Sequence, residues 1–143
     1  MDARPRVLGL DVGERRIGVA MSDPLGLTAQ RLTVIDRQTT PDAIEAIGAL
    51  VAQHRIHTIV IGLPLTMQGA RGPQANRVAA FAQALGRRTS MPIELIDERL
   101  TTAQGLRTLR HTGISQRRGK RVLDQIAAQL ILQQFLDAQH HRA

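Results

Sequence analysis

The stretch Val7–Asp23, VLGLDVGERRIGVAMSD, constrains this chain more than any other part of it. It reads as an apolar strand, Val7–Asp11, bounded by Pro5 and Gly13. A turn of Gly13, Glu14 and Arg15 follows, then a second strand in which Ile17, Val19 and Met21 alternate with smaller residues. Two such runs across a short glycine turn make an antiparallel hairpin. A carboxylate at a strand end, beside a tight turn with room for a phosphate, is how a fold presents a metal ligand to a nucleotide or a nucleic acid. Asp11 is therefore the first candidate site residue.

The hairpin opens an alternating pattern. A third strand is expected over Thr28–Ile35, where Leu32 and Val34 alternate with polar neighbours. Pro41 with Asp42 starts a helix over Ala43 to about His54, with Ile44, Ile47, Leu50 and Val51 on one stripe. Thr58–Ile61 is a β-branched run of the kind that fills a strand covered on both faces, and it ends in Gly62. After a loop with glycines and prolines, a helix is expected from about Gln74 to Arg87, then a short strand, Ile93–Ile96, that ends in Asp97 and Glu98. Thr101 with Gln104 has capping-box spacing and predicts a helix to about Arg110; a basic loop, His111–Gly119, leads to a last helix from about Lys120 to Ala138. The fold class is α/β. With 143 residues the chain fits one domain, 1–143.

In an open α/β sheet, sites form outside the carboxyl ends of the parallel strands. Asp11, the segment after Gly62, and the Asp97–Glu98 pair would share that edge. The last helix adds another acid. At about 100° per residue, Gln125, Gln129 and Gln133 form a polar stripe, and Asp124 falls on the other side among Ala128, Ile131 and Phe135. Asp124 near a helix start also complements the helix dipole, which explains its charge but not its inward direction. A carboxylate on an apolar face needs a partner, because burying an ion alone costs several kcal/mol. The reading that accounts for all these acids is a metal-binding cluster, in which hard cations such as Mg²⁺ or Mn²⁺ offset the mutual repulsion. Two such ions can activate a water and stabilise the leaving oxygen of a phosphodiester. Adjacent residues of an extended segment point to opposite sides, so one of Asp97 and Glu98 is expected to be a ligand. Glu98 is the choice, with Asp97 left for an Arg or a backbone N–H group.

Charge and composition narrow the partner. The net charge is +7, and apart from Lys120 every Lys or Arg is an Arg, the side chain best suited to phosphate. Leu106–Arg121 carries Arg107, Arg110, Arg117, Arg118, Lys120 and Arg121 with no acid, directly before Asp124; beside an acidic cluster such a run suits a phosphate backbone. Aromatic residues make up only 1%, so base stacking on Trp or Tyr is excluded. The absence of cysteine excludes disulfides, thiolate zinc sites and cysteine nucleophiles. No apolar run approaches the ~20 residues of a membrane span, and no signal segment is evident, so a cytoplasmic protein with no membrane partner is expected. His54, His57, His140 and His141 lack metal-site spacing and read as surface residues, the last two in a frayed tail; Gly69 and Gly72 read as turn residues.

Four segments taken together, LGLDVGERRIGVAMSD, IVIGLPLTMQGARGPQA, IELIDERLTT and KRVLDQIAAQLIL, resemble the YqgF type, also called RuvX, of the ribonuclease H-like superfamily. The resemblance runs in the family's order over nearly the whole chain. It implies a five-stranded mixed sheet, three antiparallel strands then two parallel ones, flanked by helices. It also implies that Asp11, Glu98 and Asp124 are the catalytic metal ligands of a nuclease that processes the 5′ end of precursor 16S ribosomal RNA, or of a Holliday-junction resolvase-like enzyme of DNA recombination. Arg15, Arg16, Thr101, Thr102, Arg117, Arg118, Lys120 and Arg121 are the expected substrate contacts, the substrate being precursor rRNA or branched or single-stranded DNA, and the protein a monomer or weak homodimer. Val12 stands where the family commonly has an aromatic residue, Thr66 where it often has Asn, and Gln125 where Lys is usual, so the departures touch substrate preference more than metal binding. Two other readings compete: one domain of an actin-like or sugar-kinase ATPase, for which 143 residues are too few, and a nucleic-acid-binding factor without catalysis.

Overall fold

The computed structural model describes residues 4–103, 105, 106 and 117–142, the side chains of 100, 117, 118 and 142 excepted. The strands are β1 (Arg6–Val12), β2 (Arg16–Ser22), β3 (Ala29–Asp36), β4 (Ile56–Leu63) and β5 (Ile93–Asp97), and the helices α1 (Thr40–His54), α2 (Pro73–Thr89) and α3 (Arg117–Arg142), with a 3₁₀ turn at Glu98–Leu100. They form one sheet in the order β3-β2-β1-β4-β5. The pairs β1/β2 and β2/β3 are antiparallel, and β1/β4 and β4/β5 are parallel. This is the mixed sheet expected from the sequence, and the parallel strands follow helices that carry the chain back across the sheet.

Strand alternation divides the side chains between two faces. Leu8, Leu10, Ile17, Val19, Ile59 and Ile61 point to one face and pack beneath α1 and α2 through Ile44, Ile47, Val78, Phe81 and Leu85. Val7, Ala20 and Val60 point to the other, where α3 covers them with Ala127, Ala128, Ile131, Leu132 and Phe135. Residue 11 has the parity of Val7, so Asp11 belongs to the α3 face. That parity decides where any site built on β1 must lie.

The helix ends differ from the sequence reading for identifiable reasons. The cap of α1 is Thr39, whose side chain accepts the Asp42 N–H at 3.1 Å, so Pro41 and Asp42 lie inside the first turn and do not start the helix. The helix stops at Arg55, which adopts a left-handed φ of 54°. The last helix begins at Arg117 rather than Lys120 and continues to Arg142 rather than Ala138, so His140 lies in helix and not in a frayed tail; its Nε2 is 3.0 Å from the Gly26 carbonyl. The glutamine stripe of this helix is not left to solvent. Gln129 donates to the Ala29 carbonyl, while Gln133 accepts the Ala29 N–H and donates to the Leu27 carbonyl, each at 2.9 Å, so they close the start of the edge strand β3. The helix expected from Thr101 to Arg110 lies largely outside the described residues, of which 103, 105 and 106 are helical.

α3 packs unusually close because two strand positions beneath it lack a side chain. A Cβ on Gly9 would come within 2.7 Å of the Leu132 Cβ, and one on Gly18 would collide with the backbone carbonyl of Asp124. Gly18→Ala should therefore force strand and helix apart and destabilise the fold by about 1–3 kcal/mol, the usual cost of overpacking a core. Urea unfolding followed by circular dichroism measures this; an unchanged midpoint would show that α3 can move freely.

Candidate active site

The three acids singled out from the sequence lie over one row of the sheet. Asp11 pairs directly with Gly18 across the β1/β2 ladder. On its other side Leu10 pairs with Ile61, so Asp11 and Gly62 follow as the next step of two parallel strands. The row is thus glycine, aspartate, glycine. A Cβ on Gly18 would strike Asp124, and a Cβ on Gly62 would strike the Glu98 carboxylate. The missing side chains make the space into which the second and third acids fit. Asp11 and Glu98 are 0% exposed and Asp124 1%. Among the described residues these are the buried carboxylates, and they share the α3 face at the carboxyl end of the parallel strands.

Each acid arrives by a different local device. Asp11 is carried by β1, one residue before its end, where Gly13 turns the chain; the Gly13 N–H donates to the Arg16 carbonyl at 2.9 Å, and a Cβ there would lie 2.7 Å from that oxygen. Asp124 rides on α3, whose Ala127, Ala128 and Ile131 are buried on the same side. Glu98 is placed by the end of β5. Asp97 pairs with Leu63 as the last strand residue, and its carboxylate accepts the Arg99 N–H at 2.9 Å, turning the chain into the 3₁₀ turn. The two adjacent acids therefore diverge, one buried over Gly62 and one facing outward.

The electrostatics separate those two acids further. Arg99 clasps Asp97 through its Nε at 3.1 Å and its Nη2 at 2.8 Å, and these bonds hold the Asp97 carboxyl below its ordinary range and raise the Arg99 guanidinium. The same Arg99 donates to the Met67 carbonyl at 3.2 Å and so ties the 66–70 turn, where Gly69 has φ of +85°, to the segment carrying Glu98. Nothing in the sequence reading singled out Arg99. The signal was its position two residues after an acid that ends a strand.

Arg16 also has a role that its sequence position did not reveal. Expected to touch substrate, it instead places its Nε 2.6 Å from Asp124 Oδ2, with its side chain 22% exposed. A guanidinium is thus the cation beside this buried acid, and it satisfies the demand for a partner that the inward-facing aspartate makes. Among the described residues, no group of three or more His, Asp and Glu side chains has the arrangement that a bound metal ion requires. The carboxylates are gathered on one face, but Asp124 is turned toward Arg16.

The other expected contacts are distributed as follows. Arg15 is exposed at the hairpin turn. Thr101 Oγ1 donates to the Glu98 carbonyl and accepts the Ala103 N–H, both at 3.1 Å, so it acts as a local cap, while Thr102 is exposed. Lys120 is half-buried on the first turn of α3. Arg121 pairs with Asp36 at 2.8 Å, at the end of β3. The side chains of Arg117 and Arg118, and the whole of Arg107 and Arg110, lie outside the described residues.

Comparison with known proteins places this geometry. A family model described as "RuvX: Holliday junction resolvase" matches residues 5–138. The chain belongs to the RuvX family. Its RuvX relatives include a protein of Pelotomaculum thermopropionicum, 47% identical over 94% of this chain and 88% of that one, and a protein of Moorella thermoacetica, 47% identical over 92% and 94%. Both carry the name "Putative pre-16S rRNA nuclease". Among solved structures, Thermus thermophilus RuvC in complex with a Holliday junction substrate superposes with a TM-score of 0.61 at 12% identity, over 98% of each chain. The fowlpox virus Holliday junction resolvase superposes with 0.50 at 13% identity, over 93% of this chain and 99% of that one. The RuvX chain therefore has the sheet and helix arrangement of RuvC-like resolvases of the ribonuclease H-like class.

The Arg16–Asp124 pair in this RuvX chain is open to direct test. Arg16→Gln removes the charged partner of a buried carboxylate and should cost about 1.5–3 kcal/mol, the range for a hydrogen bond to a charged group. Arg15→Gln, one residue away and exposed, should cost less than about 0.5 kcal/mol. Parallel urea titrations compare them; equal midpoints would mean that the Arg16 bond contributes nothing to folding.

Proposed function

We propose that residues 1–143 act as one metal-dependent nuclease domain, hydrolysing phosphodiester bonds in the 5′-end processing of precursor 16S ribosomal RNA. The observation that carries this reading is the convergence of three buried carboxylates, Asp11, Glu98 and Asp124, over adjacent positions of the sheet. Membership of the RuvX family and the names of its relatives supply the substrate class. The donor chemistry fits Mg²⁺ or Mn²⁺: all three side chains offer hard carboxylate oxygens. Asp11, Glu98 and Asp124 would hold the ions, with Asp124 sharing or exchanging its bond to Arg16. A bound divalent ion would supply a nucleophilic water at neutral pH and charge stabilisation for the leaving oxygen.

The chain's own residues do the remaining work. Gly18 and Gly62 keep the space over the sheet open for the acids, and the Asp97–Arg99–Met67 bonds hold the backbone on which Glu98 is mounted. Burial of the carboxylates keeps bulk water from screening them, so they would attract a divalent cation strongly. Arg15, Lys120, Thr101, Thr102, Arg117, Arg118 and Arg121 would contact the strand, the basic side chains neutralising its phosphates. Hydrolysis adds the oxygen of water to phosphorus and releases one bridging oxygen as a hydroxyl. The chain works as a monomer or weak homodimer in the cytoplasm, where ribosomal precursors are processed; no helix among the described residues is long and apolar enough to cross a membrane.

The description of the matching family model favours a second reading, cleavage of four-way DNA junctions by the same acids. Paired nicks need two active sites at fixed spacing, so that reading requires a dimer at working concentration. A side-by-side assay on precursor RNA, duplex DNA and junction DNA, with the oligomeric state measured by sedimentation, separates the two.

Asp11→Asn should lower cleavage of precursor RNA by at least about a thousandfold, as expected when a group that acts at the reacting phosphate is lost. Folding and most RNA binding should remain, and excess EDTA should silence the wild type. Asp124→Asn should shift the Mg²⁺ dependence to higher concentration. Undiminished cleavage by purified Asp11→Asn protein, or by wild type in EDTA, would overturn the metal-dependent reading.

A further inference from the structure

The face of the sheet opposite the acids carries a second feature at the same hairpin turn. A cavity of about 270 Å³ opens there, lined by Gly13, Glu14, Arg37, Gln74, Arg77 and Val78. Its walls come from the β1–β2 turn, the residue after β3, and the first turns of α2. It is separate from the acidic cluster, since Val78 belongs to the core beneath α1 and α2 and not to the one beneath α3.

Two guanidinium groups dominate this cavity, and they are held differently. Arg37 is built in: Nη1 donates to the Gly13 carbonyl at 2.8 Å, Nη2 to Thr40 Oγ1 at 3.1 Å, and the group lies 4.9 Å above the centre of the Phe81 ring. These contacts fix its plane but use only part of its donor fork. Burial lowers the Arg37 pKa from its ordinary value, and the nearby Glu14 charge acts against that shift, so the cation is partly withdrawn from water. Arg77 is held more loosely, 60% exposed and joined at 3.3 Å to Glu14, itself 79% exposed. Such a surface pair contributes little, so Glu14 can leave Arg77 for a stronger anion. The first turn of α2 carries no acid to oppose one.

We propose that this cavity is a phosphate subsite for the nucleic-acid strand. Arg37 and Arg77 together grip one phosphate of the strand after it has crossed the β1–β2 turn from the acidic cluster, and Glu14 is the anion displaced. A phosphate offers several acceptor oxygens to two guanidinium forks, which a single carboxylate on an exposed side chain does not match. The subsite rests on the nuclease reading for its partner and extends it. The strand is anchored on both faces of the sheet edge, with the scissile phosphate over Asp11 and a flanking phosphate behind Gly13.

Binding of a short single-stranded RNA to the full chain, followed by fluorescence anisotropy in EDTA over a range of salt concentrations, tests this without any cleavage. Arg77→Gln should weaken binding about three- to tenfold and reduce the salt dependence by about one ion. Glu14→Gln should tighten binding about two- to threefold, because it removes the competing charge. Arg37→Gln should weaken binding most, but it also releases Gly13 and Phe81, so the exposed pair decides. Repeating the titrations with 5′-phosphorylated and 5′-hydroxyl RNA identifies the phosphate. A larger Arg77→Gln effect on the 5′-phosphorylated strand assigns a terminal monoester, and equal effects assign an internal diester; either supports the subsite. Wild-type affinity and salt dependence in Arg77→Gln, weaker binding by Glu14→Gln, or a wild type that binds no RNA would overturn it. A protein that shows these shifts yet cleaves nothing with Mg²⁺ would keep the subsite and lose the nuclease reading, so the two failures are distinguishable.

Discussion

The close contact between α3 and the sheet is the constraint on which the rest of the structure depends. Helices usually stand off a sheet by the depth of the intervening side chains, but Gly9 and Gly18 let this helix settle onto the backbone of β1 and β2. At that depth the Asp124 carbonyl occupies the place of the missing Gly18 side chain, and the Asp124 carboxylate is carried to 1% exposure. A buried carboxylate needs polar partners, and Arg16, two residues before Gly18 on the same strand, reaches it at 2.6 Å. One packing choice thus generates a glycine, a buried acid and its counter-ion as a linked set.

The second glycine contact works by the same logic on the other side of Asp11. Gly62 pairs with Ile96, one residue before the end of β5, and its bare backbone admits the Glu98 side chain. Glu98 has the alternation of Ile96, which packs on the α3 side, so strand parity already directs it to the face of Gly62. The Asp97 cap on the Arg99 N–H breaks the strand at the required residue, and Arg99 then holds the outward acid in place. At one corner of the row the Arg16 guanidinium offsets the charge of Asp124.

These relations were unequally legible in the sequence. The five strands and the two-faced sheet followed from alternation and β-branched runs, because burial on a pleated surface leaves a period that survives in the residue order. Asp124 could be assigned to the inner face by counting around the helix, since helical geometry is rigid enough to fix an azimuth from residue number alone. Partners distant in sequence left no such trace. Arg16 reads as a generic basic turn residue, and its bond to an acid 108 positions away exists only once α3 is docked. The glutamines of α3 read as a wet stripe for the same reason: their partners are backbone groups of β3, which carry no sequence signal. Thr39 capping α1 was hidden by the stronger-looking Pro41–Asp42 pair, although a hydroxyl just before a helical proline is an ordinary cap.

The hairpin turn that first drew attention to Val7–Asp23 has more than one duty. Strand alternation at its ends sends consecutive charged residues in different directions: Glu14 toward α2, Arg15 into solvent and Arg16 beneath α3. Gly13 lets the chain turn tightly enough for its N–H to meet the Arg16 carbonyl, while its own carbonyl accepts Arg37 from the opposite face. The turn therefore couples the two sides of the sheet edge mechanically: a shift of Gly13 moves both the anchor of Arg37 and the strand that carries Arg16. Asp11 sits two residues before this joint. A polyanion pulling on the outer face would be resisted through the same backbone that positions the acids, which is why a tight glycine turn, rather than a longer loop, suits this position.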